Sequence, residues 1–278
     1  MVKIWRTPWT WLLVAVAVAT GGPAVLADRF ITLASTTSTR DSGFFDSVLS
    51  LFEAKTGIEV RVVAVGTGRA LRLAVRGDVD AVLVHDRTSE LEFVAEGHGI
   101  ARREVMYNDF VVVGPDADPA RVRGVSDAAS AFARIAESRA IFASRGDDSG
   151  THKAELRLWE AAGVDARAES GGWYRETGSG MGATLNTASE LGAYLLADRG
   201  TWLSFKNRGD LQILVEGDPR LRNVYGAILV NPERHPHAKS EEARAFLDWL
   251  VSDQGRAAID AFRLGGMQLF HPIAPEPE

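Results

Sequence analysis

Cysteine is absent from the 278 residues, which excludes a disulfide framework, thiolate metal ligands and a lipid anchor on an N-terminal cysteine. Long hydrophobic runs are missing as well. The predominantly apolar stretch Trp9 to Ala19 falls short of the roughly 20 residues needed to cross a bilayer, and no later stretch reaches even that length. No membrane anchor is therefore expected. Nor is there a surplus of basic charge: the net charge is −6 and the pI about 5.6. That balance leaves no basic surface for nucleic acid and no long-range attraction for an anion, so any anion site must be built locally. Repeats and low-complexity segments are also lacking, and Gly66-Thr67-Gly68 is followed by neither a Walker lysine nor a full GxGxxG pattern.

What is present begins with an export signal. Lys3 and Arg6 precede the short apolar run, and Val25-Leu26-Ala27 supplies small or apolar residues before Asp28, the pattern of a signal peptide spanning residues 1–27, cleaved after Ala27. The mature chain is then expected in the periplasm, free of the membrane. Short apolar runs alternate with helical patterns along it, and this implies an α/β fold built on a parallel sheet whose strands are covered on both faces. Strands are predicted at Phe30 to Leu33, Ile58 to Val65, Val79 to Val84, Phe110 to Pro115, Ala140 to Ala143, Leu211 to Val215 and Val224 to Val230. Helices are predicted from Phe44 to the stop at Gly57, around Ala70 to Val75, and over Gly150 to Ala162, Met181 to Ala197 and Ser240 to Phe262.

Hydroxyl and glycine residues collect where predicted strands end and helices begin. A helix N-terminus has free backbone N–H groups and a partial positive charge, and small residues let an anion approach both. Four such loops occur. The first is Ser35-Thr36-Thr37-Ser38-Thr39 and the second Gly66-Thr67-Gly68. The third, Ser144 through Thr151, joins Arg145 to Ser149-Gly150-Thr151, and a guanidinium presents paired donors that match two oxygens of a tetrahedral anion. The fourth is Thr177-Gly178-Ser179-Gly180-Met181-Gly182. Each has a plainer explanation as a solvated turn or a helix cap, and for Arg145 as an ion pair with Asp147 or Asp148. Their convergence is the argument, because an anion buried between lobes needs many neutral donors and limited charge.

Other chemistries fit less well. Asp148-Ser149-Gly150 with His152 could in principle serve a secreted hydrolase, but Ser149 and His152 fall on one predicted helix with no orienting acid. His85, Asp86, His98 and Asp109 have no metal-ligand spacing. Trp159, Trp173, Tyr174, Tyr194 and Trp202 could stack a sugar, yet at such positions they are more often core.

These residues resemble the periplasmic tungstate-binding proteins of bacterial ABC transporters over nearly the whole mature length. The resemblance rests on Ser35 through Thr39 with Asp41-Ser42-Gly43, Gly66-Thr67-Gly68, Gly77 through Asp80 with Val84-His85, and Met106 through Phe110. It continues through Ser144 to His152, Glu176-Thr177-Gly178, Gly180-Met181-Gly182 and Asp198 through Thr201. It implies a two-lobe periplasmic binding protein of type II with a ligand cleft between the lobes, with lobe I formed by residues 28–109 and 232–278 and lobe II by residues 110–231. The function implied is capture of tungstate, without cofactor, metal or catalysis, by a monomer that delivers it to a membrane permease. The ligand set implied is Thr36, Thr37, Ser38, Thr67, Gly68, Arg145, Ser149, Gly150, Thr151, Thr177 and Gly178. Molybdate and phosphate are the alternative ligands, phosphate because Arg145 with Ser149-Gly150-Thr151 also looks like the signature of phosphate receptors. Ser35 stands where the family usually has threonine, which keeps the hydroxyl.

Overall fold

Side chains on a strand point alternately to its two faces, so a strand that is apolar at every position must be covered on both. The computed structural model describes residues 1–2 and 29–274; the cleavage point expected after Ala27, and all but the first two residues of the expected signal peptide, lie outside them. In chain order the first unit comprises β1 (Phe30–Thr36), α1 (Thr37–Asp41), α2 (Phe44–Thr56), β2 (Glu59–Val65), α3 (Thr67–Arg76), β3 (Ala81–Val84) and α4 (Arg87–Ala95). On β3, Ala81 and Leu83 join a core with Ile31, Leu33 and Phe44, whereas Val82 and Val84 join another with Ala34, Ala70 and Phe93. The same period of two divides β4 (Gly99–Pro115): Phe110 and Val112 enter one core of the second unit, Val111 and Val113 the other.

The second unit continues with α5 (Ala128–Glu137), β5 (Phe142–Ser144), α6 (Gly150–Ala161), β6 (Tyr174–Glu176), α7 (Met181–Leu191), β7 (Leu195–Asp198), α8 (Arg199–Ser204) and β8 (Leu211–Val215). The chain then returns through β9 (Arg222–Val230), α9 (Ser240–Leu250), α10 (Asp253–Ala261) and three two-residue strands, β10 (Arg263–Leu264), β11 (Met267–Gln268) and β12 (His271–Pro272). Strand order in the main sheet is β12-β4-β9-β3-β1-β2, with β7 and β8 paired to the far half of β4. β1 runs parallel to β2 and β3, while β9 is antiparallel to both β3 and β4.

β4 joins the two lobes. From Gly99 to Asp109 it pairs with β9 in lobe I, and from Phe110 onward it pairs with β7 and β8 in lobe II. Among the described residues no helix is long and apolar enough to cross a membrane.

Three sequence expectations are corrected. The sheet expected to be parallel is mixed, because β9, which the expected boundary at 231 assigns to lobe II, pairs antiparallel with both β3 and β4 of the main sheet. The helix expected over Met181 to Ala197 stops at Leu191, because Gly192 at φ 58° closes it in the left-handed conformation, and Leu195–Asp198 continues as β7. The helix expected over Ser240 to Phe262 is two helices, because Ser252 takes the Gly255 N–H on its Oγ and starts α10 afresh.

Candidate functional site

The candidate loops fall at the C-terminal ends of strands on both sides of the lobe junction, where open α/β sheets bind ligands. Ser35 and Thr36 end β1, and Thr37, Ser38 and Thr39 form the first turn of α1. Ser35 is committed to structure, its buried Oγ donating to the Leu83 carbonyl at 2.6 Å. Thr36 Oγ1 lies 2.7 Å from Thr39 Oγ1 and 3.3 Å from Ser38 Oγ, so three buried hydroxyls form one cluster. Thr67 and Gly68 open α3 and are buried. Across the junction, Ser149 caps α6 by accepting the His152 N–H at 3.2 Å, with Gly150 and Thr151 in its first turn.

The two helix N-termini approach each other closely, and Gly150 permits this. A methyl group on Gly150 would lie 3.1 Å from Thr67 Oγ1 and 2.6 Å from the His85 ring. On the other side a methyl on Gly68 would lie 2.1 Å from Asp148 Oδ2. The N–H groups in the first turns of α3 and α6 have no carbonyl partner within their own helices, so both ends present donors toward the junction.

Three side-chain donors there lack partners: Thr67 Oγ1, Thr151 Oγ1 and Arg145 Nε are buried and unbonded. A buried polar group left unpaired costs on the order of 1–3 kcal/mol, so three at one junction from two lobes mark a place built for something to accept from them. Arg145 is 5% exposed; its Nη2 pairs with Asp147 Oδ2 at 2.5 Å, while Asp147 Oδ1 accepts the Ser149 N–H at 3.2 Å. The ion pair weighed in the sequence and the free donor thus coexist on one guanidinium.

Polar residues that sequence reasoning did not place at the site surround it. Burial pushes His85 down to about 4, and the charge of Arg145 adds to that, so the ring is neutral at physiological pH. Its Nδ1 lies 2.9 Å from Asn223 Oδ1, and Asn223 Nδ2 donates to Asn108 Oδ1 at 2.7 Å. With the amide so oriented, Nδ1 carries the imidazole proton. Asn108 lies on β4 and Asn223 on β9, so the chain of bonds ties the end of β3 to the strands nearest the lobe crossing. Asp198 is 2% exposed and caps α8 through the Thr201 N–H and hydroxyl at 2.8 and 2.7 Å; burial raises its carboxyl, with the Thr201 bonds and the nearby charge of Arg145 acting the other way. Burial also raises the phenol of Tyr225, which stands beside Thr39, Asn223 and Ser38.

The fourth loop does not join the cluster. Thr177 Oγ1 contacts the Ser144 and Arg145 carbonyls at 3.1 and 3.4 Å and Thr184 Oγ1 at 2.8 Å, and Gly178 is exposed. This loop braces the Arg145 segment from behind. The hydrolase alternative finds no dyad: Ser149 Oγ meets the backbone N–H of His152, whose Nδ1 accepts from the Asp148 N–H at 3.2 Å. Trp159, Trp173, Tyr174, Tyr194 and Trp202 are all core. Among the described residues no three His, Asp or Glu side chains gather as a metal cage would.

The sequence and the fold both have known relatives. The sequence profile of the PBP superfamily domain matches residues 18–254. The tungstate-binding protein TupA of Peptoclostridium acidaminophilum is 46% identical over 248 residues, covering 88% of this chain and 86% of that protein. Among solved structures, the tungstate-binding TupA of Desulfovibrio alaskensis superposes with a TM-score of 0.77 at 44% identity, covering 89% of this chain and all of that one. The tungstate ABC transporter protein of Geobacter sulfurreducens gives 0.77 at 46% identity, covering 85% of this chain and all of that one. The chain therefore belongs to the PBP superfamily and, within it, to the family of the TupA tungstate-binding proteins.

Proposed function

We propose that this protein captures tungstate between its two lobes in the periplasm and delivers it to the membrane permease of an ABC importer. The observation that carries the reading is the set of unpartnered buried donors, Thr67 Oγ1 from lobe I and Thr151 Oγ1 and Arg145 Nε from lobe II, at two opposed helix N-termini. Closing the lobes over a dianion would pair all three at once and surround it with first-turn amides, replacing its hydration with fixed dipoles. The hydroxyls of Thr36, Thr37 and Ser38 extend the lobe I side of the seat. A single guanidinium, already shared with Asp147, keeps the added charge limited.

Molybdate matches tungstate in charge and nearly in size, so the same donors serve it. Phosphate near neutral pH carries a proton that needs an acceptor, and the carboxylates closest to Arg145 are already engaged. Asp147 accepts from Arg145 and Ser149, and Asp148 pairs with Arg72 and Lys153. Calorimetric titration of ligand-free protein with tungstate, molybdate, sulfate and phosphate in parallel tests the reading: tungstate is expected to bind far more tightly than sulfate or phosphate. Tightest binding of phosphate would move the protein to the phosphate receptors. Export follows from the N-terminal pattern, and intact-mass analysis of periplasmic protein is expected to show a chain starting at Asp28; a mature chain beginning at Met1 would overturn it. A monomer is expected on both sides of the titration.

A further inference from the structure

Outside the anion seat, a row of alternating charges crosses from one lobe to the other. Asp86, just after β3 in lobe I, has a side chain 1% exposed and receives Arg157 Nη1 of α6 at 2.5 Å. Lys153, one turn earlier on α6, lies 3.7 Å from the same carboxylate and donates to Ser89 Oγ of α4 at 2.7 Å. Arg72 of α3 ends the row, 3.1 Å from Asp148, which is itself 3.5 Å from Lys153. Burial works to raise the Asp86 carboxyl, and hydrogen bonds from Ser89 and Arg157 outweigh it, leaving it below the usual carboxylate range and charged.

The two oxygens of Asp86 have different loyalties. Oδ2 accepts the Ser89 N–H at 3.2 Å as the cap of α4, a bond within lobe I that persists whatever the lobes do, and it also faces Lys153 of α6 at 3.7 Å. Oδ1 meets Arg157 of lobe II, so that bond exists only while the lobes are closed. Lys153 and Arg157 share α6 with Gly150 and Thr151, so the pairing and the lobe II half of the anion seat move as one body.

We propose that Asp86, gripping Arg157 and Lys153 across the lobe junction, is a charge latch that sets how long the closed lobes hold their anion. This rests on the oxyanion-receptor reading and adds residues that never touch the ligand. A bond made only in the closed state raises the closed population, and apparent affinity rises with that population.

Stopped-flow binding of tungstate to Asp86→Asn and Arg157→Gln tests the latch. Asparagine keeps an oxygen for the α4 cap, and the Arg157 side chain is half exposed, so both variants are expected to keep the thermal midpoint of the parent. Each should release tungstate about 5- to 20-fold faster, after discounting for solvent at Arg157, with association rates within about twofold. The double variant should be no faster than the quicker single, and Arg157→Lys should restore part of the slow release. Spin-label distances between the lobes of ligand-free protein should shift toward the open form in both single variants. Release rates within about twofold of the parent, or single effects that multiply in the double variant, would overturn the latch. Were the parent to bind no tungstate at all, the receptor reading would fail; the interlobe distances would still decide the latch, and their constancy would reject it.

Discussion

Arg145 has one nitrogen paired with Asp147 and another, Nε, facing no protein acceptor. A charge-assisted hydrogen bond contributes about 1.5–3 kcal/mol, and at about 1.4 kcal/mol per decade its removal amounts to a 10- to 100-fold loss of affinity. Arg145→Ala is expected to lose at least that much tungstate affinity by calorimetry. Arg145→Lys keeps charge without the planar paired donors and should recover only part. Arg134→Ala is the control, since Arg134 is exposed and donates to the Arg121 carbonyl far from the junction. If Arg145→Ala, shown folded by circular dichroism, bound as well as the parent, the seat would lie elsewhere. Gly150→Ala asks a different question of the same place. Its methyl would press on the His85 ring and Thr67 Oγ1 only when the lobes meet, so binding should weaken by about tenfold or more while the unfolding midpoint holds. A stable Gly150→Ala protein with the affinity of the parent would show that the lobes close with room to spare.

At the scale of elements, caps decide where the chain turns. Ser252 separates α9 from α10, and Ser252→Ala should cost about 1 kcal/mol in urea unfolding without changing tungstate affinity; a larger loss would mean that the break also serves packing. The sequence shows how local chemistry is legible and long-range chemistry is not. Thr67, Ser149, Gly150 and Thr151 could be placed at helix starts because the signals of a helix start belong to the same few residues. Thr177 and Gly178 have the same composition, yet Thr177 spends its hydroxyl on the Ser144 and Arg145 carbonyls, which only the β5–β6 pairing brings near. His85, Asn108 and Asn223 were invisible as a set because their bonds span 138 and 115 positions of chain. The same distance effect hid the place of β9: an apolar run does not say which strand it will lie beside. The split of the last helix was missed for the opposite reason, since the period of its apolar face continues past Ser252 and only the cap interrupts it.

The whole molecule carries a pH dependence to which its buried acids contribute, Glu155 among them. Glu155 of α6 accepts from Tyr174 Oη at 2.7 Å and Trp159 Nε1 at 3.2 Å inside the lobe II core, and burial pushes it up to about 7. Its folded value lies above the unfolded one near 4.5, so its contribution is fully present below pH 4.5 and is lost as pH rises through 7, on the order of 3 kcal/mol in all. His85 works the other way, costing stability as pH falls from 6.5 toward 4. Comparison with Glu155→Gln cancels the histidine: the parent should lose more stability between pH 5 and 8 than the variant does, and equal losses would mean that Glu155 is ionised in the native core. The return of β9 to lobe I has a consequence of its own for the order in which the protein comes into being. The segment from Phe110 to Leu221 is contiguous, whereas β9 stands between β3 and β4 and is the seam of their sheet. A chain emerging from its N-terminus can therefore finish its inserted lobe while the surrounding lobe still lacks its middle strand. Fragment 110–221 should fold alone by circular dichroism, and fragment 29–109 should not. The proposed anion seat draws on both lobes, so it is the last part of the protein to exist, and an exported chain can meet its ligand only after its final strands have arrived.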